Sequence, residues 1–263
     1  MPDYTKFLQV ATEAARAAGA FLLANFEGKQ DIHYKGKDGD HPFSEADKEA
    51  ERIILDIICK ACPTHAVVSE ETGELDRQSD YRWVIDPLDG TVNYLHKYPN
   101  FSTSIALMHK DKIIVGVIFN PVTDEMFTAI SGKGTSLNGK KVHVSTVAKL
   151  DKGLFGAGFP YDRESAAFRR SLNNFIFFAK SGQAVRREGS TALSLCNVAS
   201  GRYEGFSVAG NDPWDYAAGV LLVTEAGGKV TDFDGNPFEM ERREILATNG
   251  KVHPLTINHS EEV

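Results

Sequence analysis

The stretch Trp83-Val84-Ile85-Asp86-Pro87-Leu88-Asp89-Gly90-Thr91-Val92-Asn93-Tyr94 limits what this chain can fold into more than any other. Trp83 to Ile85 is a short apolar run, the pattern of a buried strand. Asp86 stands at its end, followed by a turn at Pro87 and by Asp89 next to Gly90. Proline and glycine punctuate a chain, and glycine lets another group approach the backbone closely. Two carboxylates at a strand end, then a Gly-Thr turn opening a helix, make a seat for a hard cation and for phosphate oxygens. Carboxylate oxygens suit Mg²⁺, and the unpaired N–H groups of a helix start attract anions. An acidic surface turn has the same composition, so the stretch must be weighed with the rest of the chain.

At 263 residues the chain is near the length at which one core divides into two. A single compact unit is expected, with an α+β half over residues 1–140 and an α/β half over 141–263. No run approaches the roughly 18 uninterrupted apolar residues of a membrane span. The start, Met1-Pro2-Asp3-Tyr4-Thr5-Lys6, lacks the basic-then-apolar pattern of a signal peptide, and a cytoplasmic location is expected. A net charge of −7 with no basic stripe beyond Arg186-Arg187 argues against a nucleic-acid partner. Cys59, Cys62 and Cys196 are too few and too odd in number for a disulfide framework. Cys59-Lys60-Ala61-Cys62 lacks the second pair that a zinc site needs.

Apolar residues Phe7, Val10, Ala11, Ala14, Ala15, Ala18, Phe21 and Leu22 form one face of a helix that Gly28 ends. A polar loop is expected over Lys35–Pro42. Ser44 then caps a helix, with Asp47 as the acidic half of a capping box, and Ile53, Ile54, Ile57 and Ile58 form its buried face. Ala66–Ser69 is a second strand ending in carboxylates, Glu70 and Glu71. The strands expected at 101–107, 113–119 and 125–130 follow one another without helices, which implies an antiparallel sheet. The second half alternates. Strands are expected at 154–159, 183–187, 203–208, 229–231 and 245–247. Helices are expected at 162–180 (carrying Phe168, Leu172, Phe175, Ile176 and Ala179, with Phe175, Phe177 and Phe178 as core), after Gly189-Ser190-Thr191, and at 216–226. His41, His96 and His143 stand in no metal or catalytic motif.

Asp47, Glu70, Asp86, Asp89 and Asp215 all lie at strand ends or helix starts. If they converge, each like-charged pair at about 4 Å costs roughly 4 kcal/mol at an effective dielectric near 20. Such a cluster demands protons or divalent cations, and an all-oxygen set favours Mg²⁺ or Mn²⁺.

Trp83–Tyr94 resembles the W-[IV]-[IV]-D-P-[IL]-D-G-T-x-N-[FY] signature of the inositol monophosphatase family. Trp214-Asp215-Tyr216-Ala217-Ala218-Gly219 through Glu225-Ala226-Gly227-Gly228 is similar to its second signature, and Glu45-Ala46-Asp47 and Ser69-Glu70-Glu71 to two smaller motifs. The resemblance implies a layered αβαβα sandwich and Mg²⁺-dependent hydrolysis of a small phosphate monoester, myo-inositol monophosphate first. It implies a homodimer and lithium sensitivity. Glu70, Asp86 and the Leu88 carbonyl are the implied ligands of one Mg²⁺, and Asp86, Asp89 and Asp215 those of a second, with a third held loosely near Glu70. Asp47 and Thr91 are implied to orient the attacking water, and the Gly90 and Thr91 N–H groups to hold phosphate oxygens. Lys35 or Lys37 is a candidate to reach in from its loop. Gly189, Ser190 and Thr191 are candidate substrate-binding residues, or simply a helix start.

One position departs from the pattern. Where inositol-binding members carry a glutamate, seven residues before the Trp-Asp aspartate, this chain has Val208. A site that hydrogen-bonds a hydroxyl gains discrimination from it, so Asn211, Asp212 or Glu204 must compensate or selectivity for inositol falls. Histidinol phosphate, fructose 1,6-bisphosphate and 3′-phosphoadenosine 5′-phosphate stay open as substrates. A haloacid-dehalogenase-type phosphatase fits less well, because its two aspartates stand two apart and these stand three. A metal-binding scaffold without turnover is the non-enzymatic rival.

Overall fold

A computed structural model describes residues 3–28, 32–35 and 41–257. Helix α1 (Thr5–Asn25) is followed by a short hairpin, β1 (Ile32–Lys35) and β2 (His41–Ser44), and by α2 (Glu45–Ala61). Strands β3 (Ala66–Ser69), β4 (Gly73–Leu75) and β5 (Tyr81–Asp89) lead into the short α3 (Thr91–Leu95). A meander comes next: β6 (Ser102–His109), β7 (Lys112–Asn120), β8 (Glu125–Ile130), β9 (Gly134–Leu137) and β10 (Lys140–Val142). The remainder runs β11 (Leu154–Ala157), α4 (Ala166–Ser181), β12 (Ala184–Arg186), α5 (Thr191–Ala199), β13 (Gly205–Ala209), α6 (Pro213–Glu225), β14 (Lys229–Thr231) and β15 (Glu244–Thr248).

Eight strands form one sheet in the order β10-β9-β8-β7-β6-β5-β3-β4, and five form another in the order β12-β11-β13-β15-β14. Every pairing in the first sheet is antiparallel except β3 with β5. Successive residues of a strand face opposite sides, and the first sheet uses both. Trp83, Ile85, Ile105, Leu107, Val115 and Val117 pack against α1 and α2. Val84, Ala106 and Ile118 pack the other way, with α5 and α6 and with Phe206, Val208, Ile245 and Ala247 of the second sheet. Phe155 and Leu246 turn outward to Phe178 of α4. The layers are therefore α1/α2, sheet, α5/α6, sheet, α4: the αβαβα sandwich. At Gly116 of β7 a Cβ would lie 2.9 Å from the Ala218 carbonyl, so α6 rests directly on the strand backbone there.

Ser44 caps α2 as its sequence suggests, with Ala46 N donating to Ser44 Oγ at 3.2 Å. Ile54 and Ile58 are fully buried, while Ile53 and Ile57 are half-buried. Three expectations shift. The ends of the expected 35–42 loop extend as paired strands, Lys35 opposite His41. Strand β5 continues through Pro87 to Asp89 instead of turning at Pro87. Helix α4 starts at Ala166, where Ser165 Oγ accepts from Phe168 N at 3.1 Å. It buries Ser171, Asn174 and the expected Phe178, leaves Phe168, Leu172, Phe175, Ile176 and Phe177 half-buried, and exposes Ala179. The three cysteines are free, Cys62 and Cys196 buried. Among the described residues no helix is long and apolar enough to cross a membrane.

His253 anchors the end of the second sheet. It is 1% exposed, with Nε2 3.1 Å from Thr231 Oγ1 and Nδ1 2.9 Å from Thr248 Oγ1. Burial, aided by the charge of Lys229, pushes its imidazole down from 6.5 to about 4. The folded protein thus resists a proton that the unfolded chain accepts. The neutral ring costs nothing above pH 6.5, and stability is lost as the pH falls from 6.5 through about 4. That loss should approach roughly 3 kcal/mol. Denaturant titrations across this window should give a flatter profile for His253→Gln by that amount. An equally steep profile would show that the ring is not the group responsible.

Candidate active site

On a regular strand, residues three apart face opposite sides. Asp86 and Asp89 do not. Asp86 lies opposite Ser104 of β6 and Asp89 opposite Ser102, so three steps on β5 match two on β6. This bulge brings Asp89 to the same face as Asp86, while Ile85 and Leu88 enter the α1/α2 layer. Bulges are also one of the few places where a sheet admits proline, here Pro87. Thr103 Oγ1 donates to the Pro87 carbonyl at 3.0 Å, and Leu88 N to Asp86 Oδ1 at 2.9 Å. Parallel pairing of Ser69 with Ile85, continued by Glu70 N donating to Ile85 O at 3.2 Å, sets Glu70 beside Asp86.

The other acids come from helix starts. Asp47 occupies the third position of α2, and its Oδ2 accepts from Ser44 N at 2.7 Å and Ser44 Oγ at 2.8 Å. Asp215 occupies the third position of α6, and its Oδ2 accepts from Asp212 N at 2.9 Å. The same device is used twice: one oxygen of each carboxylate closes a helix terminus. Asp89 serves a third helix from outside. Its carboxylate accepts from Ser190 Oγ, from Thr191 N at 3.1 Å and from Ala192 N at 3.0 Å, at the first turn of α5. Ser102 Oγ adds a fourth donor at 3.3 Å. Thr91 lies between the groups, its Oγ1 3.2 Å from Asp47 Oδ1 and 3.0 Å from the Leu88 carbonyl. Gly90, at φ 94°, makes the turn that delivers it. A Cβ there would sit 3.0 Å from Asn100 O and 3.4 Å from Gly189 O.

Asp47 and Asp86 are each 1% exposed and Asp89 7%. Burial, then the charge of Glu70, then those of Asp89 and Asp215, hold Asp86 well above the ordinary carboxylate range. Burial, Glu70 and Asp89 do the same to Asp215. Asp47 is pushed up to about 7 by burial, Glu70 and Glu71, against its bonds from Ser44. Asp89 reaches only about 6, because its four donors oppose burial. Among the described residues no ion pair joins Asp47, Asp86, Asp89 or Asp215 to a basic side chain. A different acidic group, Asp232, Asp234 and Glu244, brings its oxygens within 4.8 Å of one another, but Arg242 pairs with Asp232 and Arg170 with both Asp234 and Glu244. Asp86 and Asp89 stand with a carbonyl and a hydroxyl, and among the described residues no arginine pairs with them. That donor set fits a hard divalent cation.

The remaining sequence candidates separate clearly. Gly189, Ser190 and Thr191 form the start of α5, with Ser190 Oγ accepting from Leu193 N at 3.1 Å. Their donors face Asp89. Asn211 joins them, its Nδ2 donating to Thr191 Oγ1 at 3.0 Å. Asp212 is held by Arg243 at 2.7 Å. Val208 is 1% exposed and packs inside the α5/α6 layer. Glu204 is buried too, accepting from Ser145 Oγ at 2.7 Å and Leu154 N at 2.5 Å, and so is committed to the chain fold. Lys37 lies outside the described residues, as does the side chain of Lys35. Sequence reasoning missed Tyr161. This residue is 46% exposed, and its phenol is held above its usual range by burial and by the charges of Glu70, Asp215, Asp89 and Asp86. Phe159-Pro160 before it gave no hint: Phe159 packs on Phe168 and Phe175, and Pro160 lies against Gly210.

These acids gather at the junction of two sheets and three helix starts, and comparison with known proteins shows the class of protein that carries them. The chain belongs to the inositol monophosphatase family, whose model matches residues 3–263. It is 44% identical over 252 residues to an inositol-1-monophosphatase from Synechocystis, covering 95% of this chain and 87% of that one. It is 40% identical over 246 residues to the Nus factor SuhB of Escherichia coli, covering 93% and 92%. An inositol monophosphatase from Anabaena superposes with a TM-score of 0.87 at 40% identity, over 97% of this chain and 95% of that one. A Thermotoga maritima IMPase gives 0.88 at 31%, over 96% of each.

A buried cluster of like charges is a stability cost in the metal-free protein. The folded carboxyls keep protons that the unfolded chain releases near pH 3.8, so metal-free stability falls as the pH rises above that value. Asp86→Asn keeps the acceptor for Leu88 N and removes one charge. In chelator at pH 8 it should raise stability, with the gain vanishing toward pH 4. Chemical denaturation would show this, and a destabilised variant at pH 8 would mean the repulsion is already relieved.

Proposed function

We propose that the protein hydrolyses a small phosphate monoester, with myo-inositol monophosphate the leading substrate. The reading is carried by one observation: the carboxylates of Asp86, Asp89 and Asp215 come together beside Glu70, delivered by β5, α6 and the turn after β3. Glu70, Asp86 and the Leu88 carbonyl would hold one Mg²⁺, and Asp86, Asp89 and Asp215 another. Bound there, the ions supply positive charge to the phosphoryl oxygens and acidify a water. Mn²⁺ offers the same coordination chemistry.

The chain's own groups then divide the work. Thr91 Oγ1 and Asp47 Oδ1 form the pair that orients the attacking water. Asp47, with a carboxyl near neutral, is suited to receive its proton. The Gly90 and Thr91 N–H groups point phosphate oxygens toward the acids. Asp89, already anchored by Ser190, Thr191 and Ala192, cannot swing away as charge develops. Asn211 and Tyr161 border the place where the alcohol part would lie.

Relatives named for inositol monophosphate support that substrate. The apolar, buried Val208 favours a broader range, because it offers no acceptor to a sugar hydroxyl. Histidinol phosphate, fructose 1,6-bisphosphate and 3′-phosphoadenosine 5′-phosphate therefore belong in the same assay. Lithium sensitivity, a homodimer, a cytoplasmic location and a division near residue 140 complete the proposal through family membership.

Phosphate release should rise with Mg²⁺ and stop in chelator. A folded Asp89→Asn variant should lose at least several hundred-fold in kcat, the scale of removing one preorganised charge-stabilising group. Full turnover in chelator, or at full rate in that variant, would defeat the metal-assisted reading. No turnover on any substrate, with Mg²⁺ binding intact, would favour a scaffold.

A further inference from the structure

Helix α2 carries a second buried carboxylate one turn beyond Asp47. Glu51 is 2% exposed, and residues four apart share a helix face. Its carboxylate does not enter the acid cluster. Oε2 accepts from Ser69 Oγ and from Glu71 N, the latter at 3.0 Å, and Oε1 accepts from Thr72 Oγ1. Those three donors flank Glu70 on both sides. Ser69 and Gly73 are paired across β3 and β4, so Glu70, Glu71 and Thr72 form the connecting turn, and Glu51 grips it from within.

The turn lies in a field of like charge. Glu70 raises the carboxyls of Asp47, Asp86 and Asp215, and the repulsion acts equally on Glu70 itself. A cleft of about 400 Å³, lined by Lys48, Glu51, Arg52 and Thr72 among others, lies beside the turn. Hydrogen bonds to a buried carboxylate are stronger than neutral ones, and removing the acceptor would leave two hydroxyls and an N–H group to find new partners.

We propose that Glu51 is a positioning residue, which fixes the Ser69–Thr72 turn so that Glu70 faces Asp86, and thereby sets the protein's affinity for its divalent cation without touching it. This rests on the reading of Glu70 as a metal ligand. Groups that hold metal ligands in place typically change affinity by about 10- to 100-fold when lost.

The test is the Mg²⁺ dissociation constant of the full chain by calorimetry, beside the Mg²⁺ dependence of phosphate release. Glu51→Ala should weaken Mg²⁺ binding about 10- to 100-fold, with kcat at saturating Mg²⁺ within about threefold of wild type. Glu51→Gln should restore most of the affinity, since its carbonyl can serve Ser69 and Glu71 while its amide donates to the Thr72 hydroxyl. Thr72→Val, which removes one bond, should fall between. A cooperatively folded Glu51→Ala with wild-type Mg²⁺ affinity overturns the inference. If that variant does not fold, wild-type affinity in both Thr72→Val and Ser69→Ala overturns it. Glu70→Gln separates the two levels. If it weakens Mg²⁺ binding and the Glu51 series does not, only the positioning role fails. If Glu70→Gln leaves affinity unchanged, the ligand reading fails and takes the positioning role with it.

Discussion

Mutual repulsion among buried carboxylates, balanced by backbone N–H groups, is the constraint on which the rest of this structure depends. Asp47 and Asp215 each give one oxygen to the start of their own helix, and Asp89 gives both to the start of another. Helix starts carry partial positive charge, so three of them gathered at the sheet ends lower the cost of assembling the acids. The compensation is incomplete, as the raised carboxyls of Asp86 and Asp215 show. That shortfall is the negative charge a divalent cation would offset in the function proposed above.

The acids also lie on the seam between the two sheets. Asp89 belongs to the first sheet, yet it completes α5, which carries the second. Asn93 and Asn100 both donate to the Glu188 carbonyl, at 2.7 and 3.1 Å, and Ser104 Oγ donates to the Trp214 carbonyl at 3.3 Å. A hydrogen-bonded rim of this kind makes the two halves one object around the site. The α5/α6 layer, whose apolar side chains pack on both sheets, fixes the spacing that lets Asp215 meet Asp86.

Much of this was legible in the residues themselves. Ser44 with Asp47 announced a helix start, the alternation along 101–130 announced an antiparallel meander, and the Asp86–Thr91 stretch located the acid cluster. What was hidden depended on register or on long-range partners. Asp86 and Asp89 gain a common face only through the pairing with Ser104 and Ser102. Phe178 of α4 was legible as core, but several faces of that helix carry large apolar residues, and only the sheet beneath decides which is fully covered. Glu51 looks like one more solvated charge on a charged helix. Tyr161 follows a short strand with nothing to mark it. The Val208 position could be named from the sequence, but its burial within the layer could not.

The bulge in β5 has a last consequence. The surplus residue fits three steps of backbone, with the carbonyls they carry, where a regular strand has two. Losing either Pro87 or Leu88 would leave the aspartates two apart and still on one face of a smooth ladder. One of the two carbonyls that serve Thr103 and Thr91 would be gone, leaving the acids in place around a backbone one oxygen short.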